Sequence, residues 1–194
     1  MARGLIIAAP ASGQGKTTVT LGLLRALRHA GQRVAALKVG PDYIDPAFHG
    51  AATGATCGNL DSWAMRPEGL AAQATAAAKD SDLVIVEGVM GLFDGTAQGQ
   101  GSTAEVAKAT GWPVILVVDG RGMAASAGAL LKGFMTFDPE IRLAAVLFNR
   151  VAGPRHLALL QAAAAALGLP CLGGLPREEG LLLPSRHLGL VQAG

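Results

Sequence analysis

Six short, largely apolar runs divide the chain, and they constrain its fold more than any other feature. They lie at residues 5–8, 34–39, 83–86, 114–118, 143–148 and 171–175. Stretches with helical spacing of apolar residues separate them, so strand is expected to alternate with helix. Runs of this kind are typical of strands buried on both faces, as in parallel sheets. The sequence therefore predicts an α/β fold, with a mostly parallel sheet covered by helices on both faces.

Local signals predict where the connecting helices begin and end. Pro67 and Pro154 are expected in first helical turns, and Ser102 is expected to cap a helix that runs to about residue 110. Three glycines are expected to end helices: Gly31, Gly111 and Gly168. Loop signals concentrate at residues 40–61 and 88–101, each after a strand. In a parallel sheet both loops would lie at the carboxyl ends of the strands, where ligands bind.

Composition narrows the class of protein. The 194 residues are 51% hydrophobic, 15% charged and only 4% aromatic, which excludes disorder and predicts a core of Ala, Val, Leu and Ile. The formal charge of +2 comes from scattered basic residues, so no nucleic-acid partner is expected. No apolar run is long enough to span a bilayer, so a cytoplasmic protein without membrane contact is predicted. A single domain over residues 1–194 is expected.

A small-residue loop follows the first apolar run and opens directly into a helical pattern of leucines. Backbone N–H groups in such a loop, with the positive end of the helix dipole, are suited to binding phosphates. Lys16 is expected to be exposed, to contribute little to packing and to reach the β- and γ-phosphates, and Thr17 is expected to hold Mg²⁺. Pro10 stands where the strict motif has glycine, and a Gly/Ser loop with one incidental lysine is the alternative. The predicted nucleotide-binding residues of the loop are Ser12, Gly13, Gln14, Gly15, Lys16, Thr17 and Thr18.

Four carboxylates follow the second and third runs, in a chain with few charges. They are Asp42, Asp45, Glu87 and Asp94. Charged groups at strand ends are costly to bury unless a cation meets them, and Mg²⁺ prefers one or two carboxylates with phosphate oxygens and water. Thr17, Asp42 and Glu87 are therefore predicted to hold Mg²⁺ beside a bound nucleotide. The alternative is that some of these acids only close turns, as Asp beside Gly or Pro often does.

Four sequence blocks resemble those of the cobyrinic acid a,c-diamide synthase family. They begin at Lys38 (KVGPDYIDP), Asn59 (NLD), Glu87 (EGVMGLFDG) and Arg186 (RHLGL), and they follow the family's order along the whole chain. The phosphate loop is shared with many ATPases, whereas the blocks from Lys38 and Glu87 are specific to this family. A broader similarity to dethiobiotin synthetase lies in the loop and the strand order. The resemblance implies a P-loop NTPase-like fold.

The resemblance also implies an ATP-dependent amidation in corrin-ring biosynthesis. The γ-phosphoryl group of ATP would pass to a side-chain carboxylate of cobyrinic or hydrogenobyrinic acid, and ammonia would then displace phosphate from the acyl phosphate. Such a transfer requires positioning and charge neutralisation rather than a protein nucleophile. The catalytic residues implied are Lys16, Asp42, Glu87 and Asp94. The substrate residues expected are Tyr43, Asp45, Asp94 and Ser102.

Full-length members of the family continue into a glutamine amidotransferase domain that releases ammonia. This chain stops after the Arg186 block, and neither Cys57 nor Cys171 is in a nucleophile-like context, since Cys57 has no partner histidine nearby in sequence. Both cysteines are expected to be structural. The glutaminase half is therefore expected to be absent. The expected partners are a corrinoid polycarboxylate and ammonia from a glutaminase domain, with a homodimer as one option.

Several polar residues have two interpretations. Asn149 ends the fifth predicted strand and is expected to pair with adenine, the alternative being a strand-end turn. Ser102 contacts substrate or only caps its helix. Arg186 and His187 bind ring carboxylates or lie in a surface loop. The histidines have no metal spacing and are expected to be solvated or structural, with His49 the main exception because it follows the Asp45 block.

Two other functions compete with amidation. Nucleotide-switched ATPases of the partition and septum-placement kind share this loop and sheet, but they carry a lysine near the start of the loop, where this chain has Ala11. Dethiobiotin synthetase is disfavoured by the block from Lys38. Stimulation of ATP hydrolysis by a corrinoid polycarboxylate, by diaminopelargonate or by neither would separate the three.

Overall fold

The computed structural model describes residues 3–178 of the chain. Within that range the backbone forms seven strands and six helices. The strands are β1 (Gly4–Ala8), β2 (Val34–Val39), β3 (Gly58–Leu60), β4 (Leu83–Glu87), β5 (Val114–Asp119), β6 (Leu143–Val151) and β7 (Cys171–Pro176). The helices are α1 (Lys16–His29), α2 (Asp45–Thr53), α3 (Pro67–Lys79), α4 (Thr103–Thr110), α5 (Ser126–Thr136) and α6 (Pro154–Ala165). The candidate residues Arg186 and His187 lie outside the described residues.

The strands form one sheet in the order β3-β2-β4-β1-β5-β6-β7. Every neighbouring pair is parallel, which confirms the predicted parallel α/β architecture. Strand β1 lies between β4 and β5, so the chain builds one half of the sheet on each side of it. The loops that follow β1, β2 and β4 therefore open at the same edge, at the point where the strand order divides.

Alternate residues of the central strands face two separate apolar cores. Ile6 packs on one face of β1 with side chains of α3, α4, α5 and α6, while Ile7 packs on the other face with α1. In β4, Val84 and Val86 take the first face and Ile85 the second, as the two-residue period of a strand requires. Both faces are thus covered, and the core is mainly aliphatic as expected. Phe148, which is fully buried, and Trp112, which is 8% exposed, are aromatic members of this core.

The structure corrects the assignment of residues 40–61 as a loop. This segment contains helix α2 and the short strand β3. Pro46 stands in the first turn of α2 and Gly54 ends it in the left-handed conformation, with φ of 70°. Strand β3 has only three residues, too few to show a pattern, and it exists because Gly58–Leu60 pair with the edge of β2. The other predicted loop, residues 88–101, contains neither helix nor strand.

The predicted helix ends agree with the structure. Pro67 and Pro154 stand in the first turns of α3 and α6. Ser102 caps α4 by accepting a hydrogen bond from the Glu105 N–H, and Gly111 ends α4 with φ of 64°. No helix within the described residues is long and apolar enough to cross a membrane.

Candidate functional site

The loop between β1 and α1 has the backbone of an anion-binding site. Gly13 and Gly15 adopt left-handed conformations, with φ of 77° and 94°. Gly15 is the N-cap of α1, which has no side-chain cap and no acidic residue in its first turn. A Cβ atom at Gly15 would also collide with the side-chain amide of Asn149. Helix α1 therefore directs N–H groups and the positive end of its dipole at the loop without an internal counter-charge.

Lys16 lies inside this loop, and the structure corrects the expectation that it is exposed. Its side chain is buried, with the residue 8% exposed. The ammonium group donates to the carbonyl of Met90 and lies 3.5 Å from the carbonyl of Ala11. Burial, together with the charge of Lys38, lowers the pKa of Lys16. Backbone carbonyls at the loop thus hold the ammonium group, but they stabilise its charged form only weakly. Phosphate oxygens, which carry negative charge, would stabilise the charged form more strongly.

Glu87, at the end of β4, is the centre of the buried charges. It is 1% exposed. Its Oε1 accepts a 2.6 Å hydrogen bond from the Thr17 hydroxyl and lies 3.1 Å from Lys38 Nζ. Its Oε2 lies 2.6 Å from Nε2 of His49. Burial acts to raise the pKa of Glu87, but the hydrogen bond from His49 and the charge of Lys38 outweigh it, so the net pKa is below the usual range.

Lys38 is a site residue that the sequence reasoning quoted only as the start of a motif. It is 3% exposed, and its ammonium group contacts Oδ2 of Asp45 at 3.0 Å as well as Glu87. It also donates to the Gly88 carbonyl at 3.1 Å. Burial acts to lower the pKa of Lys38, and the charges of Glu87 and Asp45 raise it above its usual value. The available signal was a single charge within the otherwise apolar run of β2, which signifies a buried ion pair.

The acids after β2 differ in their surroundings. Oδ1 of Asp42 accepts from the N–H groups of Ile44 and Asp45 at 2.9 and 3.0 Å, which is the turn geometry considered as the alternative. Its Oδ2 lies 3.9 Å from Lys38 Nζ. Asp45, in the first turn of α2, is 3% exposed and paired with Lys38. The side chain of Asn59 holds this segment by donating to the carbonyls of Gly40 and Asp42.

The remaining residues predicted to bind substrate lie around the loop after β4. Asp94 accepts a hydrogen bond of 2.9 Å from the Gly91 N–H, and Tyr43 is 86% exposed. Ser102 is buried, and its hydroxyl accepts from the Glu105 N–H at 3.3 Å. Capping therefore accounts for Ser102, and its contact with substrate stays a prediction.

Trp63 is a second residue that the sequence reasoning missed. Its side chain is 69% exposed, yet its backbone is held because the N–H donates to Asp61 Oδ1 at 3.0 Å. It lines a cavity of about 330 Å³ together with Pro41 and Met90. Because the Met90 carbonyl accepts from Lys16, this cavity adjoins the phosphate loop. An exposed tryptophan beside a cavity indicates a binding surface, but the sequence alone does not show that Trp63 is exposed or that a cavity lies next to it.

Asn149, at the end region of β6, lies against the phosphate loop. Its amide donates to the Gln14 carbonyl at 2.9 Å, and its oxygen accepts from the Arg150 N–H. Gln14 in turn accepts from the Asp119 N–H at 2.7 Å through its side chain. A cavity of about 360 Å³ opens here, lined by Gly13, Thr18, Asn149 and the end of β7. The structure thus places Asn149 between the loop and a cavity.

The structure gives Cys57 a histidine neighbour, which the sequence analysis did not assign to it. Its Sγ lies 3.7 Å from Nδ1 of His49, on a neighbouring element. Burial raises the pKa of the Cys57 thiol to about 12, so the group stays protonated at neutral pH and is a poor nucleophile. His156 is structural as expected, since Nε2 lies 2.7 Å from the Met123 carbonyl. Among the described residues, no group of three or more His, Cys, Asp and Glu is arranged to hold a metal ion.

Comparisons with known proteins identify the family and the fold. Residues 5–191 match the profile of a family described as the CobQ/CobB/MinD/ParA nucleotide binding domain. Hydrogenobyrinate a,c-diamide synthase of Brucella ovis is 54% identical over 192 residues, which are 98% of this chain and 44% of that protein. The same-named protein of Rhodobacter capsulatus is 56% identical over 198 residues, covering 98% of this chain and 45% of that protein. The chain therefore spans less than half the length of these relatives.

A solved structure shows the same fold at low identity. The cell division protein FtsY of Thermotoga maritima superposes with a TM-score of 0.60 and 18% identity, covering 93% of this chain and 64% of that one. The fold is accordingly P-loop NTPase-like, with a parallel sheet and helices on both faces. Because the family profile covers nearly the whole chain, the chain belongs to the CobQ/CobB/MinD/ParA family of nucleotide-binding domains.

Proposed function

We propose that this chain is the ATP-dependent synthetase part of a hydrogenobyrinate or cobyrinate a,c-diamide synthase. The observation that carries the proposal is the direct contact between the phosphate loop and a buried acid, from Thr17 to Glu87 at 2.6 Å. It joins a nucleotide-binding backbone to a set of buried charges, as phosphoryl transfer requires. The names of the relatives supply the substrate class.

In the proposed reaction, a carboxylate oxygen of the ring attacks the γ-phosphorus of ATP and the bond to the ADP oxygen breaks. Ammonia then attacks the acyl carbon, phosphate leaves with the C–O electron pair, and the nitrogen loses a proton. No protein atom becomes bonded to the substrate. The protein's contribution is to position the two reactants and to neutralise the charge that develops on the phosphoryl oxygens.

The nucleotide side of the site is proposed to run from residue 12 to residue 18. The N–H groups of the loop and Lys16 bind the phosphates, and Lys16 exchanges its carbonyl partners for phosphate oxygens. Asn149 is proposed to recognise adenine from the adjoining cavity, where its amide can both donate and accept.

Mg²⁺ is proposed to bind beside the phosphates, where it would polarise them and offset their charge. The oxygen donors present fit this ion, since Thr17 supplies a hydroxyl and Glu87 a carboxylate at the loop. Asp42 is the third candidate, with Oδ1 engaged in a turn and Oδ2 facing Lys38 at 3.9 Å. The protein donors are few, so phosphate oxygens and water would complete the shell.

The substrate is proposed to lie over the cavity that adjoins Lys16. Tyr43 and Trp63 are exposed aromatic side chains at this edge and offer flat apolar surface to a macrocycle. Asp94 orders the loop after β4, and Asp45 fixes Lys38. Catalysis by Asp94 is retained as part of the proposal, as is contact of Asp45 and Ser102 with substrate.

The nitrogen donor is proposed to be ammonia, produced by a glutaminase region in the longer relatives. The protonated thiol of Cys57 does not favour a glutaminase reaction within this chain. A cytoplasmic location and a homodimer complete the proposal.

The test is amidation by the 194-residue chain with Mg-ATP, hydrogenobyrinic or cobyrinic acid, and either ammonium or glutamine. Mass spectrometry of the ring should show acid-to-amide conversion with ammonium and none with glutamine alone. ATP hydrolysis measured with diaminopelargonate in place of the ring acid serves as the comparison. If ATP binds but ammonium yields no amide, the assigned substrate is wrong, and equal rates with glutamine would reveal an unassigned glutaminase activity.

A further inference from the structure

His49 is a fully buried histidine that the proposed reaction does not use. It lies on α2 and is 0% exposed. Its Nε2 is 2.6 Å from Oε2 of Glu87, and its Nδ1 is 3.7 Å from Sγ of Cys57. The imidazole therefore connects two side chains that come from different elements.

The partners on the two nitrogens select one arrangement of hydrogens. An ionised Glu87 can only accept, so Nε2 must carry the hydrogen that it donates. The single hydrogen of the Cys57 thiol can be donated either to Nδ1 at 3.7 Å or to the Gly58 carbonyl at 3.6 Å. This tautomer places the hydrogen of the ring on the nitrogen that lies 2.6 Å from Glu87 Oε2, and a hydrogen donated by Cys57 to Nδ1 would favour it.

The two oxygens of Glu87 have separate partners. Oε1 faces Thr17 and Lys38, while Oε2 faces His49. Rotation of the carboxylate about the Cγ–Cδ bond would exchange these oxygens. Oε1 would then no longer face Thr17 at the phosphate loop. The 2.6 Å contact of His49 Nε2 with Oε2 opposes that rotation, in the way that outer partners orient metal-binding carboxylates.

We propose that His49 is a positioning residue, which holds Glu87 in the rotation that directs Oε1 to Thr17 and the divalent cation, with Cys57 selecting its tautomer. This inference rests on the proposed function, because it presumes a cation between the loop and a bound nucleotide. The simpler role, anchoring α2 to the sheet, predicts loss of stability alone.

The experiment compares His49→Gln with His49→Asn. The amide of glutamine can reach the position of Nε2, whereas that of asparagine is closer to the position of Nδ1 and stops short of Glu87. Both variants are equally polar, so they differ chiefly in the contact under test. ATP affinity is measured by calorimetry across a Mg²⁺ titration and again with EDTA. His49→Asn should raise the Mg²⁺ concentration that gives half of the maximal gain in ATP affinity by about 10- to 100-fold. His49→Gln should keep this concentration close to the parent's value. The ATP affinity in EDTA should be the same in all three proteins.

Two further variants keep the proposal falsifiable. In a Glu87→Gln background, His49→Asn should produce no additional change in Mg²⁺ dependence, since the carboxylate it orients is gone. Cys57→Ala should shift the Mg²⁺ dependence in the same direction and Cys57→Ser should not, and this pair decides the matter if His49→Asn does not fold. Equal Mg²⁺ dependence in all variants, with only a lower melting temperature, would overturn the proposal. Absence of any ATP binding by the parent chain would instead refute the proposed function.

Discussion

The Thr17 hydroxyl donates a 2.6 Å hydrogen bond to Oε1 of Glu87, although 70 positions separate the two residues in sequence. The contact joins the first turn of α1 to the end of β4 because β1 and β4 are neighbours in the sheet. A divalent cation that bound both oxygens would have to displace this hydrogen bond. Binding of such a cation would therefore be coupled to the position of the loop.

Replacement of Lys16 by methionine should weaken Mg-ATP binding without destabilising the free protein. Loss of a charge-assisted contact costs about 1.5–3 kcal/mol, which is about tenfold in affinity or more. The lowered pKa means that burial disfavours the charged form, so the apo protein should not melt at a lower temperature. Calorimetry and thermal unfolding measure the two effects. The exposed Lys79→Met is the control, and unchanged ATP affinity in Lys16→Met would remove the nucleotide assignment.

Glu87→Gln should separate nucleotide binding from chemistry. The amide keeps the shape but not the charge, so ATP should still bind while phosphoryl transfer falls by orders of magnitude. Stability should fall as well, because Lys38 loses a buried partner, and breaking such a pair costs about 3–5 kcal/mol. Turnover, ATP affinity and urea unfolding are the measurements. Near-normal turnover would transfer the role to Asp42.

Acid should reduce stability through the same residue. The pKa of Glu87 is below its usual range in the folded state, so its contribution to stability is present above the unfolded pKa near 4.5. That contribution is lost as the pH falls through the lower folded pKa. Urea unfolding between pH 7 and pH 3 should show a smaller loss for Glu87→Gln than for the parent. The same dependence of unfolding free energy on pH in Glu87→Gln and in the parent would contradict this prediction.

Asn149→Ala should weaken ATP binding and narrow its advantage over GTP. Loss of one partner leaves a polar edge of adenine unpaired. Because Asn149 also donates to the Gln14 carbonyl, the substitution should loosen the phosphate loop for both nucleotides. The ratio of the two affinities isolates base recognition from this shared effect. A constant ratio with lower affinity for both would restrict Asn149 to supporting the loop.

Cys57 should resist alkylation in the native protein. With a pKa of about 12, roughly one thiol in 10⁴ is ionised at pH 8, and the thiolate is the reactive form. Iodoacetamide labelling of a Cys171→Ser variant, followed by mass spectrometry, should be at least a hundredfold slower in buffer than in urea. The protonated thiol is favoured in the folded state, so the free energy of unfolding should fall as the pH rises from about 9 toward 12. Rapid native labelling at pH 8 would contradict the assignment.

Trp63→Ala should weaken binding of the corrinoid acid and leave ATP affinity unchanged. Loss of an aromatic contact with a macrocycle costs about 1 kcal/mol, or about fivefold in affinity. Trp63→Phe should recover most of the binding, and Leu159→Ala, at another exposed apolar position, is the control. Absorbance titration of the ring measures the affinity. Equal affinities for Trp63→Ala and the parent would remove this surface from the proposal.

Most of the fold could be predicted because its signals are local. Each of the six apolar runs contains enough residues to show that it is a strand, and Pro67, Pro154, Ser102 and Gly111 mark helix ends through their own backbone chemistry. The expected burial on both faces is wrong for β7, because it lies at the edge of the sheet and exposes Leu172 and Leu175. Strand β3 could not be predicted, since three residues acquire a strand conformation only from the neighbouring β2. Helix α2 was hidden by the turn residues around Asp42 and Asp45.

In the candidate site, too, features that depend on neighbouring residues could be predicted and features that depend on tertiary contacts could not. The sequence by itself determined the parallel α/β class, the phosphate loop with Lys16 and Thr17, and an acid at the end of β4, because each depends on residue types at close spacing. Only the tertiary structure decided which charges meet. Lys38, His49 and Glu87 come together because β2 and β4 are adjacent and α2 packs beside them, and the energy of buried charges depends on distances across the sheet rather than on spacing along the chain.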